Sequence, residues 1–136
     1  MERQIVRDTF FLSLKSEPAT AADRNIARDL LDTLQANTER CVGLAANMIG
    51  ERKRIIAISN NGKLMVMTNP ELLEQQEPYE TEEGCLSLEG VRPTTRYRRI
   101  RVRYEDRGGK PHDEWFYGFT AQIIQHELDH CSGIII

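Results

Sequence analysis

The 136-residue chain carries little net charge, no long apolar run and few cysteines. Lys and Arg number 18 against 21 Asp and Glu, a formal charge of −3. That balance excludes a global field able to gather nucleic acid or anionic membrane. No apolar stretch approaches the roughly 20 residues that span a bilayer, and Met1–Ile5 lacks the apolar run of a signal peptide. Three cysteines, Cys41, Cys85 and Cys131, are an odd number in a chain large enough to hold its core without staples, which argues against a secreted disulfide framework. The expectation is a cytoplasmic protein with no nucleic-acid or membrane partner. Its thiols are free for packing, metal binding or nucleophilic chemistry.

What is present is enough for a core. Hydrophobic residues make up 40% and charged residues 29%, with no repeat or linker, so residues 1–136 read as one domain. After Pro18, Thr20 and Asp23 have the spacing of a helix-capping pair. Ala22, Ile26, Leu30, Leu31 and Leu34 recur at helical period and predict an amphipathic helix over Ala21–Ala36. From Arg54 the pattern turns to strands. Ile55–Ser59 and Leu64–Thr68 flank Asn60–Gly62, a hairpin signal because Asn and Gly accept positive φ. Ile100–Tyr104 alternates as a strand with one wet face does, and it runs through a turn at Asp106–Lys110 into a strand at Glu114–Tyr117. Thr120–Cys131 reads as a final helix. Segregated strands between helices predict an α+β fold.

The sharpest chemical signal is Gln125–His130, which contains H-E-x-x-H. His126 and His130 are one helical turn apart on one face, and Glu127 lies beside them without being a ligand. Alone, the string also describes a surface helix with two solvated histidines. No His, Asp or Glu follows His130, so a third ligand must come from upstream. Cys85, within Glu82–Ser87, is the best candidate; its alternative is a buried apolar cysteine. The small residues of Cys41–Gly50 would let another backbone lie close, or simply pack as a turn. Cys131 reads as packing, and His112 as a solvated loop residue. Asp129 reads as a carboxylate that either orients a ligand imidazole or sits on the helix surface. Arg96 reads as an arginine that could steady the Cys85 loop or bind peptide carbonyls, or as part of an arginine-rich strand that is mostly solvated face.

In order, Cys41–Met48, Glu83–Ser87 and Gln125–His130 resemble the G-x-G-x-A-A-x-Q, E-G-C-x-S and Q-H-E-x-D-H motifs of the peptide deformylase family. The resemblance implies a fold of small antiparallel or mixed sheets around a C-terminal metal-binding helix. It implies one divalent metal ion on Cys85, His126 and His130, with Fe²⁺ first and Zn²⁺, Ni²⁺ or Co²⁺ as alternatives. The implied activity is removal of the N-formyl group from formyl-methionyl peptides or nascent-chain N-termini, with transient ribosome association. Metal-activated water would attack the formyl carbon and Glu127 would move the protons. The Leu86 N–H and the first motif's glutamine would bind the oxyanion. Gly43 and Leu44 would meet the substrate backbone, and Phe119, Gln122 and Ile123 would line the methionine pocket.

Departures from the motifs fall at informative places. Met48 stands where the glutamine is expected, and a thioether donates no hydrogen bond. Losing such a donor costs about 10²–10³ in kcat. Asn47 could replace it only through a local bulge. Cys41 replaces the first glycine, and Glu89 replaces a usual proline. The apolar Ile134–Ile136 is expected to pair as a strand or to meet a second copy in a homodimer. The reading is a metal-dependent hydrolase acting on a linear amide, weakened by Met48. The alternative is a non-catalytic, metal-stabilised module that binds formylated or methionine-initiated N-termini.

Overall fold

The helical period after Pro18 is realised, with a refined start. In the computed structural model, which describes residues 1–135, Ala21–Asp23 form a 3₁₀ turn that leads into a helix at Arg24–Ala36. The Ala22 N–H donates to the Thr20 hydroxyl at 3.2 Å, and the Thr20 N–H donates to Asp23 at 2.8 Å. These bonds occupy amides that a helix start leaves without partners. The described residues contain helices α1 (Thr9–Leu12), α2 (Arg24–Ala36) and α3 (Gly118–Cys131). Strands are β1 (Gly43–Ala45), β2 (Ile55–Asn60), β3 (Lys63–Cys85), β4 (Leu88–Glu105) and β5 (Pro111–Tyr117).

The strands form one antiparallel sheet in the order β1-β2-β3-β4-β5, which with the C-terminal helix gives the expected α+β fold. Asn61 and Gly62, both at positive φ, make the two-residue turn between β2 and β3. Ile55, Ile56, Ala57 and Ile58 are all buried because both α2 and α3 pack on β2. Ala27, Leu30 and Leu34 supply the buried stripe of α2. Ile124 and Leu128 do the same for α3.

The far part of β3 and β4 was not predicted as strand. Most residues from 71 to 82 are exposed and polar, so no apolar alternation marks them. Their pairing continues nonetheless to Cys85↔Leu88, with register shifts after Thr68 and Leu72. Asn69, at φ 52°, sits in the first shift. Its amide is anchored to both the N–H and the C=O of Ala19, at 2.7 and 2.9 Å. Such irregularities bend a strand. They carry the hairpin tip, with Cys85, towards α3.

Two further expectations change. Ile134 and Ile135 form no strand; the Ile134 N–H caps α3 at the Asp129 carbonyl, 2.9 Å away, and Ile136 lies outside the described residues. His112 lies within β5, stacked on Tyr104 and bonded to Asp106 at 2.8 Å. It is not a solvated loop residue, because the strand begins earlier than the aromatic run suggested.

Candidate metal centre

Helix α3 places Gln122, Gln125, His126, Asp129 and His130 against the β3–β4 hairpin, and Ile123 and Glu127 against Gly43 of β1. The helix ends at Cys131, and at Gly133 just beyond it, φ 77°, a Cβ would lie 2.3 Å from the Ser13 carbonyl oxygen. Only glycine permits that approach. His126 and His130 turn their Nε2 atoms to within 3.2 Å of one another, and the Cys85 Sγ is 3.4 Å from His130 Nε2. A tetrahedral ion with metal–N of about 2.05 Å and metal–S of about 2.3 Å would have edges of about 3.4 and 3.6 Å. The three donors therefore fit a divalent cation closely. Among the described residues theirs is the group of such side chains close enough to share one.

The hydrogen bonds fix which nitrogens are free. His126 Nδ1 lies 2.8 Å from Glu83 Oε1, and a carboxylate only accepts, so Nδ1 carries the proton and Nε2 presents its lone pair. Burial pushes the His130 imidazole down to about 3, leaving it neutral. Burial also opposes charge on His126, but hydrogen bonds with Cys85 and Glu83 overcome it and hold the ring at about 10. The centre thus attracts positive charge, which a metal supplies in place of a proton. The Ser87 N–H donates to Cys85 Sγ at 3.4 Å and helps hold the sulfur in place.

Glu83 is the functional residue that sequence reasoning missed, although it opens the E-G-C motif. Its carboxylate accepts from Arg96 Nε at 2.9 Å and Nη2 at 2.7 Å, from Gln122 Nε2 at 2.9 Å, and from His126. Burial would raise its pKa, yet the bonds from His126, Arg96 and Gln122 bring it to about 2. Arg96 steadies this carboxylate rather than peptide carbonyls, and its Nη1 reaches Asp129 at 2.8 Å. Asp129 therefore touches His126 only through Arg96 and Glu83.

Glu127 is 3% exposed, and its Oε1 has no hydrogen-bond partner among the described residues. Burial pushes it up to about 7. A Cβ on Gly43 would come within 2.9 Å of Glu127 Oε2 and 2.8 Å of Ile123. Gly43 therefore sets the position of Glu127 as well as leaving room for a ligand.

Gly43, Met48, Cys85, Leu86, His126 and Glu127 border one open cavity of about 260 Å³. Phe119, Gln122 and Ile123 form its side wall, with Phe119 exposed at the rim. Leu44 does not join them; it is wholly buried in the core, because β1 turns its side chain away. Asn47 is likewise committed elsewhere. Residues Ala46–Ile49 are a 3₁₀ turn, and the Asn47 amide donates to the carbonyls of His130 and Leu12 at 2.9 and 3.5 Å. Met48 faces the cavity, with its sulfur accepting the Ala45 N–H at 3.5 Å. The Cys41 thiol donates to the Gly43 carbonyl at 2.9 Å, and burial pushes it up to about 12, as it does Cys131. Both are packing thiols.

The fold and this constellation define a metal-dependent hydrolase: two histidines and a cysteine at one point, with an unbonded carboxylate beside an open cavity. The sequence model of the family described as Polypeptide deformylase matches residues 5–136, and the chain belongs to that family. It is 54% identical to the peptide deformylase of Clostridium beijerinckii over 136 residues, all of both chains. Among solved structures it resembles a peptide deformylase from Legionella pneumophila at TM-score 0.89 and 32% identity, covering 99% of this chain and 83% of that one. It also resembles the Met-ala-ser bound class I type b peptide deformylase from Acinetobacter baumannii at TM-score 0.89 and 29% identity, covering 99% and 97%. The chain is thus an enzyme, a metal-dependent hydrolase that removes N-formyl groups from nascent peptides. Neither the fold nor the relatives favour the non-catalytic alternative. No helix among the described residues is long and apolar enough to cross a membrane.

Proposed function

We propose that Cys85, His126 and His130 hold the metal, that Glu127 moves the protons, and that the Leu86 N–H meets the developing oxyanion. One observation carries this reading. Cys85, His126 and Glu127 line the same cavity, and the fully buried His130 converges on the same point as the other two donors. A divalent ion held there supplies Lewis acidity and brings the pKa of a water near neutrality. Glu127, at about 7, is poised to take a proton from the attacking water and to return one to the leaving amine. The products are formate and the free amino terminus. Leu86 lies in the two-residue turn of the β3–β4 hairpin, beside the ligand sulfur. Its amide is therefore at hand where negative charge develops. Phe119, Ile123 and the aliphatic stem of Gln122 receive the methionine side chain, and Gly43 receives the peptide backbone.

The finer assignments follow the same logic. The soft sulfur and two imidazoles accept Fe²⁺ or Zn²⁺, with Ni²⁺ and Co²⁺ as substitutes. Fe²⁺ is the proposed native ion, the cytoplasm the proposed location, and nascent chains at the ribosome the proposed source of substrate. A second copy of this chain would meet the half-exposed Ile134.

The test is formate release from formyl-Met-Ala-Ser by anaerobically prepared Fe²⁺ and Zn²⁺ forms. Glu127→Ala keeps its metal and loses about 10²–10⁴-fold in kcat; full activity in that variant would overturn the general-base assignment. Met48→Gln raises kcat by up to about 10²-fold. The new amide oxygen can accept the Ala45 N–H, as the sulfur does now, and leave its NH₂ free for the oxyanion. No gain would mean that the missing donor does not limit turnover.

A further inference from the structure

Gln122, on the side wall of the cavity, also bonds to the carboxylate that supports a proposed metal ligand. On α3 it stands four residues before His126 and seven before Asp129, so all three share a helix face. That face meets Glu83 and Arg96 on the β3–β4 ribbon. A carboxylate offers about four lone-pair positions, and Glu83 uses each oxygen twice. Oε1 takes Arg96 Nη2 and His126 Nδ1; Oε2 takes Arg96 Nε and Gln122 Nε2.

The Arg96 fork takes one lone pair on each oxygen and aligns the carboxylate with the guanidinium plane. The remaining lone pairs decide where it rests, and His126 and Gln122 hold opposite oxygens. The orientation of the Gln122 amide is chemically forced, since the carboxylate cannot donate. Oε1 of Gln122 therefore faces the Tyr79 hydroxyl, 3.4 Å away, which can donate to it. Arg98 covers the Tyr79 ring at 4.6 Å and keeps the ring in place. A chain thus runs from Tyr79 through Gln122 and Glu83 to His126 Nδ1.

We propose that Gln122 is a positioning residue for the metal centre: its stem forms the wall of the substrate cavity while its amide fixes Glu83, and through Glu83 the His126 ligand. The inference rests on the ligand set proposed above. It predicts that metal retention responds to a side chain that touches no ligand directly.

The experiment uses the full chain loaded with Co²⁺, its affinity measured by competition with a chelator, alongside KM for formyl-Met-Ala-Ser. Gln122→Met keeps an unbranched stem and removes the donor. The expected result is a Co²⁺ Kd raised about tenfold; KM reports separately on the cavity wall that the stem forms. A Co²⁺ Kd within twofold of the parent, whatever KM does, overturns the proposal. His126→Ala is the control for the underlying reading. If it binds Co²⁺ like the parent, the ligand set is wrong; if it loses Co²⁺ while Gln122→Met does not, only the role of Gln122 falls. Should Gln122→Met fail to fold, Tyr79→Phe decides the matter. It leaves the wall and Glu83 untouched, and the proposal expects Co²⁺ transfer to chelator to quicken about threefold. An unchanged rate then overturns it.

Discussion

The β3–β4 ribbon carries two arginine–carboxylate networks built from the same residue types, one on each side of a burial boundary. On the inner side Arg96 joins Glu83 and Asp129, with Arg96 and Glu83 almost wholly buried. On the outer side Arg101 joins Glu74 and Asp113 at comparable distances, 2.9 and 2.7 Å. The outer set lies in water, where charge is screened and long side chains lose entropy on pairing. Water cannot replace a lost partner in the inner set, so each member depends on the others. Geometry on paper is alike; surroundings decide that one network holds His126, a proposed metal ligand, and the other decorates a surface.

The largest consequence should come from Glu83→Ala. It strands the Arg96 guanidinium in the interior and releases His126 Nδ1. Urea unfolding should show a loss of about 3–5 kcal/mol, and the protein should be purified with little metal. Stability close to the parent would mean that water enters the ribbon–helix contact and that the two networks are equivalent.

A second difference lies within the site, between Glu83 and Glu127. Four donors bring Glu83 down to about 2, whereas burial with an unpartnered oxygen brings Glu127 up to about 7. The linkage signs are opposite. The contribution of Glu83 is complete above its ordinary value of 4.5 and is lost as pH falls from there towards 2. The contribution of Glu127 is complete below 4.5 and is lost as pH rises through about 7. For metal-free protein, subtracting the Glu127→Gln curve of Tm against pH from the parent's should therefore leave a downward slope between pH 4.5 and 7. A flat difference would show that Glu127 is hydrated.

The smallest effect belongs to the outer network. Arg101→Ala should leave Tm unchanged within error at physiological salt, with any shift seen only at low ionic strength. A loss comparable to that of Glu83→Ala would place Arg101 in the folding core.

Much of the site was legible because its residues are local or paired by a fixed period. His126 and His130 are one turn apart in any α-helix, and the Asn61–Gly62 turn needs only two residues at positive φ. Cys85 was legible through its motif. Glu83 was not, because a glutamate adjacent to Gly84 and Cys85 carries no sign of which imidazole it will meet 43 residues later. The burial of the Leu44 and Asn47 side chains was hidden for a related reason. A motif names positions, but whether a side chain faces the cavity or the core depends on the 3₁₀ turn at Ala46–Ile49 and on what packs beneath it.

By itself, then, the amino-acid sequence determined the period of α2 and α3, the two-residue turn, the ligand types and the absence of a donor at Met48. These are properties of single residues or of spacings shorter than a few turns. The tertiary structure alone decided that the polar stretch after Pro70 is a strand and that register shifts near Asn69 swing its tip to α3. It also decided that Glu83 is saturated while Glu127 is left unbonded. Those outcomes depend on contacts between distant segments, where burial removes water and lets hydrogen bonds and desolvation move two identical carboxyl groups in opposite directions.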